Sequence, residues 1–199
     1  NILQRMSGIA TLTYNTKKLT KNNCFISGTR KTLFNFIDKK AISAGGGLTH
    51  RINLNDSILI KDNHLKLLND NIKKALKLAN KNKKARYIEI EVKNEREALE
   101  AAETIYNLKS KKLFAIMFDN MKASIIKSTI KKVNHAFNSN IKNKNNEKFK
   151  NKGIILFEAS GNINEKNILE YSKTGIDIVS LGLLTHSVKA FDMSLDIKE

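Results

Sequence analysis

Apolar positions recur at two periods along the chain, and the period switches regularly. From Asn1 to Leu19, Ile2, Met6, Ile9 and Ala10 return at helical spacing, which predicts a helix. A polar break at Thr20–Asn23 follows. The apolar run Cys24–Ser27 then reads as a strand leading straight into a turn at Gly28–Lys31. Leu33–Ala44 reads as a helix with Leu33, Phe34 and Ile37 on one face, and Ser57–Ile60 as the next strand. Leu65–Asn80 is predicted as one amphipathic helix, with Leu68, Ile72, Ala75, Leu76 and Ala79 inward and Lys73, Lys74 and Lys77 outward. Strands are then predicted at Arg86–Val92, Leu113–Phe118, Gly153–Phe157 and Asp177–Leu181, and helices at Glu95–Asn107, Met121–Phe137 and Glu165–Ser172. Strand followed by helix, repeated, predicts a parallel β/α architecture. Unbroken apolar runs such as Ile154–Phe157 fit strands covered on both faces.

Composition narrows this to one domain over 1–199. A chain of 199 residues with 41% hydrophobic content can bury a sizeable single core. No run approaches the roughly 18 apolar residues of a membrane span, and no signal peptide is visible. The one cysteine, Cys24, forms no intrachain disulfide and suits a reducing, cytoplasmic setting. The net charge of +17 raises nucleic-acid binding as a reading. The excess is lysine spread over predicted helix faces with few aromatics interleaved, so nucleic acid is not an expected partner. Asn138–Lys152, NSNIKNKNNEKFKNK, is low-complexity and too polar to bury a core, so it reads as a solvated loop inside the domain.

Against that lysine background the arginines are informative. Of 36 Lys and Arg only Arg5, Arg30, Arg51, Arg86 and Arg96 are arginine, and two fall in one stretch, Gly28–His64. That stretch also holds Lys31, His50, Lys61, His64 and the triple glycine Gly45–Gly47. Arginine forks suit planar carboxylates, lysine suits phosphate, and consecutive glycines let backbone N–H groups approach an anion. The stretch therefore reads as a pocket for a small, densely anionic ligand. Candidate residues recur at the C-terminal ends of the predicted strands, where β/α barrels carry their chemistry. Lys61 ends one strand; Glu89 and Glu91 alternate with isoleucines, placing both carboxylates on one face. Asp119 follows Phe118; Glu158, Ser160 and Gly161 follow Phe157; Gly182, Thr185 and His186 follow Leu181. Plainer roles stand beside these: Asp119 or Ser160 as helix caps, His135 as a surface residue. No pair of histidines has zinc-ligand spacing.

Several ordered motifs resemble the quinolinate phosphoribosyltransferase (nicotinate-nucleotide pyrophosphorylase, carboxylating) family. They are NILQRMSGIATLT at 1–13, TRKT at 29–32, GGGLTHR at 45–51, IKDNH at 60–64 and IEIEV at 88–92. FDNM at 118–121, EASGNI at 158–163 and GLLTHSVKAFDMSLDI at 182–197 continue the likeness, which covers nearly the whole chain. The resemblance implies an α/β fold, an open (incomplete) β/α barrel of the type II phosphoribosyltransferase kind. It implies transfer of ribosyl-5-phosphate from phosphoribosyl pyrophosphate to quinolinate with decarboxylation. Carried over motif by motif, Arg30, His50, Arg51 and Lys61 would grip quinolinate. Lys31, Glu91, Asp119, Ser160, Gly161, Gly182 and His186 would hold phosphoribosyl pyrophosphate, with Lys31, Lys61, Glu91 and Asp119 as catalytic residues. Mg²⁺ would be held mainly through the substrate, with Glu91 and Asp119 as its protein ligands. The family's N-terminal domain, through which a homodimer or higher homo-oligomer would form, has no counterpart in these residues.

Three positions depart from the family pattern. Gly28 stands for the aspartate of DTRKT, Leu33–Asn35 replace a proline–glycine pair, and Asn162 replaces the second glycine of SGG. The last is expected to weaken phosphate binding without abolishing it. Two other readings remain open: a related pyrophosphorylase with a different acceptor, and a non-catalytic paralogue that binds RNA.

Overall fold

The computed structural model describes residues 1–51, 57–138 and 155–197. Six strands, β1 (Phe25–Gly28), β2 (Ile58–Ile60), β3 (Tyr87–Val92), β4 (Leu113–Asp119), β5 (Ile155–Ser160) and β6 (Ile178–Leu181), form one all-parallel sheet. Their order is β1-β6-β5-β4-β3-β2. No pairing among the described residues closes β1 onto β2, so the barrel is open, as expected. A bridge from Leu48 to Ser27 extends the β1 edge toward the gap.

Alternation along each strand sorts the side chains into two environments. Ile26, Ile88, Ile90, Phe114, Ile116, Phe118, Val179 and Leu181 are fully buried in the main core with the helices. Glu89, Glu91, Ala115, Met117, Asp119, Glu158, Ser160 and Ser180 alternate with them on the other face. The second set is polar and small toward the strand C-termini, which leaves room there for a cavity.

Helices α1 (Ile2–Leu19), α2 (Asn35–Ala44), α4 (Ile72–Lys81), α5 (Glu95–Asn107) and α6 (Ala123–Asn138) carry the outer layer, with α3 (Asp62–Lys66), α7 (Ile168–Ser172) and α8 (Leu183–His186) as short turns. The helix predicted over Leu65–Asn80 is two helices. Asn69 and Asp70 both have φ +55° and break it, and the Asn71 side chain accepts from the Lys74 N–H to start α4. Leu67 and Leu68 kept the apolar period across that break, which hid it from the pattern. The predicted helix Glu165–Ser172 shortens to α7, and α8 was not foreseen. In α1 the buried face is Gly8, Ile9, Thr13 and Thr16, whereas Ile2 is 60% exposed. The small face permits close packing: a Cβ on Gly45, at the end of α2, would lie 2.4 Å from the Ala10 carbonyl oxygen. Residues 139–152 of the low-complexity stretch, and Gly153 and Ile154 of the predicted fifth strand, lie outside the described residues.

Candidate active site

A cavity of about 960 Å³ opens at the C-terminal ends of the strands. Arg30, Lys31, His50, Arg51, Lys61, Glu91, Asp119, Ser160, Gly161, Gly182 and His186, separated by up to 156 positions in sequence, all line it. The strand order gives the cavity a polarity. The two edge strands and the segment between them supply the cations; β3 and β4 supply the carboxylates; β5 and β6 supply small residues.

At the β1 end, Gly28 packs so tightly on α2 that a Cβ would lie 2.1 Å from Ile42 Cδ1. An aspartate at position 28 would therefore displace Ile42. Lys39, buried on α2, donates from Nζ to the Gly28 carbonyl at 2.6 Å. Burial, reinforced by Arg30 and Arg51 and opposed by Glu158, lowers its pKa to about 8. The triple glycine then returns the chain beside β1: Gly46 has φ +79°, and Leu48 N–H donates to Ile26 O at 2.7 Å. This return aims His50 and Arg51 into the cavity, with His50 at φ +49°. A non-glycine residue held there stores local strain of the kind found at functional sites.

Beneath His50 lies a cluster of buried titratable groups. His50 Nε2 pairs with Glu89 Oε2 at 2.8 Å, and Tyr87 packs edge-on against the imidazole. Burial, opposed by Glu158 and reinforced by Lys39 and Arg51, lowers the His50 pKa. Ser180 Oγ donates to Glu158 Oε1. Burial raises both Glu89 and Glu158 to about 8; Arg51 opposes the rise at Glu89, and the Glu89 carboxylate adds to it at Glu158. Ligating atoms of His50, Glu89 and Glu158 lie within 4.8 Å of one another. With both carboxyls held largely protonated at neutral pH by burial and the cations Lys39 and Arg51 close by, the cluster reads as a brace for the cavity floor rather than a metal centre.

Arg51 is only 8% exposed, and its Nε finds no acceptor among the described residues. A buried guanidinium donor left unpaired is costly unless a ligand accepts from it. Lys61 Nζ donates to Glu91 Oε1 at 2.9 Å, tying the end of β2 to the neighbouring β3. His64, grouped in sequence with the cations, is exposed and outside the cavity; its Nδ1 accepts the Lys61 backbone N–H at 3.0 Å. His135 is exposed on α6.

The turn after β5 is built from left-handed residues. Gly161 (φ +92°), Asn162 (φ +51°) and Asn120 (φ +54°) meet there. A Cβ on Gly161 would strike Asn120 Oδ1 at 2.2 Å. Asn162 Nδ2 donates to Asn120 Oδ1 at 3.0 Å, and Asn120 Nδ2 donates to Asp119 Oδ1 at 3.0 Å. The substituted asparagine thus ties the turn to the Asp119 carboxylate. Asp119 and Ser160 both precede their helices by too far to cap them, and both face the cavity. Glu91 and Asp119 supply hard carboxylate oxygens to a water-accessible cavity, a donor set that suits Mg²⁺ shared with phosphate oxygens.

Sequence reasoning passed over Lys39, the interior role of Glu158, and Asn120. A signal for Lys39 was available: Asn35, Asp38, Lys39 and Ile42 share one helical face, and a face anchored by Ile42 is a buried one.

Fold and cavity together define an open β/α-barrel domain with a cavity at its mouth lined by arginine, lysine and carboxylate side chains. The chain belongs to the family described as quinolinate phosphoribosyl transferase, C-terminal domain, whose model matches residues 9–196. It is 40% identical over 203 residues to a probable nicotinate-nucleotide pyrophosphorylase (carboxylating) of Methanocaldococcus jannaschii, covering 99% of this chain and 65% of that protein. It is 33% identical to the chloroplastic nicotinate-nucleotide pyrophosphorylase (carboxylating) of Arabidopsis thaliana, covering 99% of this chain and 55% of that protein. Among solved structures, NadC from Streptococcus pyogenes superposes with a TM-score of 0.78 at 31% identity, covering 96% of this chain and 60% of that one. The chain therefore spans a little over half to about two thirds of the length of the relatives it matches.

Proposed function

We propose that this domain transfers ribosyl-5-phosphate from phosphoribosyl pyrophosphate to quinolinate, forming nicotinate mononucleotide, carbon dioxide and pyrophosphate. The observation that carries the reading is the buried Arg51 Nε donor, unpaired among the described residues, set in one cavity with Arg30, His50 and Lys61. That set fits an acceptor with two carboxylates. The carboxylates of Glu91 and Asp119, with the small turns at Ser160–Gly161 and Gly182, fit a ribosyl phosphate beside it. The family's name and those of the relatives, all carboxylating pyrophosphorylases, support the same substrates and give no support to another acceptor.

Each residue's part follows from its chemistry. Arg51 and Arg30 clamp the carboxylates and orient the ring nitrogen toward the ribose C1. That nitrogen forms the new bond as the C1–oxygen bond to pyrophosphate breaks, the electron pair leaving with pyrophosphate. Positive charge developing on the ribose is met by Glu91, which the Lys61 ammonium otherwise holds. Lys31 reaches phosphate oxygens, and Ser160, Gly161 and Gly182 cradle the 5-phosphate. Glu91 and Asp119 would be the protein ligands of a Mg²⁺ held mainly through the substrate, which would supply charge neutralisation at the leaving pyrophosphate. Loss of the carboxylate beside the ring nitrogen as carbon dioxide leaves an electron pair on that carbon, which takes up a proton. The cations around it offset the charge meanwhile. A homo-oligomer and a cytoplasmic setting belong to the same reading. Cys24 is buried and free, and no described helix is long and apolar enough to cross a membrane.

The test is an assay of the full-length protein with quinolinate, phosphoribosyl pyrophosphate and Mg²⁺. Equimolar carbon dioxide, pyrophosphate and nicotinate mononucleotide are expected, with nicotinate a poor acceptor because it lacks the second carboxylate. Equal use of nicotinate, or no product, would overturn the reading.

A further inference from the structure

Five residues from three separate parts of the chain form a closed hydrogen-bonded ring at the side of the cavity. Arg5, on α1, donates from Nε and Nη2 to the two oxygens of Asp38 at 2.8 and 2.7 Å. Thr32 Oγ1 donates to the same Asp38. Arg5 Nη2 also donates to the Thr185 carbonyl at 3.0 Å, and Thr185 Oγ1 donates to the Lys31 carbonyl at 2.6 Å. Lys31 and Thr32 are adjacent in sequence, so the ring closes. Asp38 and Thr185 are buried, while Arg30 and Lys31 next to the ring are exposed to the cavity. None of Arg5, Asp38, Thr32 or Thr185 lines the cavity itself.

An interior anchor could be apolar at equal or lower cost, because a buried ion pair gives up its hydration. What the ring adds is direction. It fixes the carbonyl of Lys31 and the side chain of Thr32 from two sides, and ties them to the turn carrying Gly182 and His186. The guanidinium fork of Arg5, bidentate to Asp38, sets the angle as well as the distance. The Asp38 carboxylate stays ionised: burial pushes its pKa up, but the hydrogen bonds from Arg5 and Thr32 outweigh that and hold it below the usual carboxylate value.

We propose that Asp38 and Arg5 are positioning residues that lock the loop after β1 to the loop after β6, presetting Lys31 and Gly182 for one phosphorylated ligand. The inference deepens the proposed function and rests on it for the ligand, phosphoribosyl pyrophosphate. It predicts asymmetry, because of the quinolinate-binding set only Arg30 rides on the locked loop, while Arg51, His50 and Lys61 hang on other elements. In the full-length protein, Asp38→Asn and Arg5→Ala are expected to weaken phosphoribosyl pyrophosphate binding about tenfold while quinolinate affinity changes less than about threefold. Arg5→Lys restores the charge without the fork and should recover only part of the loss. Hydrogen exchange gives a readout that needs no ligand: Asp38→Asn should release protection at 29–34 and at 182–187 together, with β3 and β4 unchanged. Unchanged exchange in both loops, or equal loss of affinity for both substrates, overturns the ring. A wild type that binds neither substrate overturns the proposed function instead, and the exchange result still decides whether the ring couples the loops.

Discussion

Asn162 shows how one substitution is absorbed. At φ +51° a glycine is at ease, and asparagine is the least penalised alternative. Its amide then gains a contact with Asn120 and, through it, Asp119. Asn162→Ala should therefore cost about 1 kcal/mol more stability than Asn162→Gly by urea denaturation, since alanine keeps the strain and loses the contact. Because asparagine at this turn is expected to weaken phosphate binding, Asn162→Gly should tighten phosphoribosyl pyrophosphate binding; affinity unchanged in calorimetry would contradict that expectation. Chains poor in glycine and lacking proline need such residues, and Asn22, Asn69, Asn120 and Asn162 all occupy the left-handed region here. Glu158 supplies a pH test. Its folded pKa of about 8 lies above its ordinary 4.5, so the stability it contributes is full below about 4.5 and is lost as pH rises through about 8. The urea midpoint of wild type should fall relative to Glu158→Gln across that window; a constant difference would mean that the carboxyl is ionised throughout.

Elements were legible in proportion to how far their own pattern determined them. The alternation from β3 onward was clear because each strand is covered on both faces and each long helix shows one apolar stripe. The break between α3 and α4 was not, because two leucines kept the helical period across residues whose backbone leaves it. That the candidate residues at strand ends would gather in one cavity was readable from position alone, since a parallel barrel sends those ends to one mouth. Arg5, Asp38 and Lys39 were not, because a charge on a predicted helix reads as solvated until tertiary contacts bury it. Packing between α1 and α2 is a further property of element pairs. Gly45→Ala places a Cβ against the Ala10 backbone, which has nowhere to go. A loss of about 1–3 kcal/mol in thermal unfolding is expected, and an unchanged melting temperature would mean that the two helices are not held at this distance.

At the scale of the molecule, the open sheet explains the layout of charge. Its two edges, which no pairing among the described residues joins, carry the cations, and its central strands carry the carboxylates. A dicarboxylate at the edge side and a ribosyl phosphate at the central side would meet inside one cavity, each on groups of opposite charge or on small turns. The overall +17 charge adds a field that favours multiply anionic ligands at low salt. The most direct measurement is calorimetric titration of quinolinate into the full-length protein and its Arg51→Ala variant. Saturable binding by the wild type, weakened on the order of 30-fold by loss of one charged hydrogen-bond donor worth about 2 kcal/mol, is the expected result. Quinolinate binding of equal strength in both proteins would contradict the placement of the acceptor on Arg51, and with it the proposed reading of the cavity.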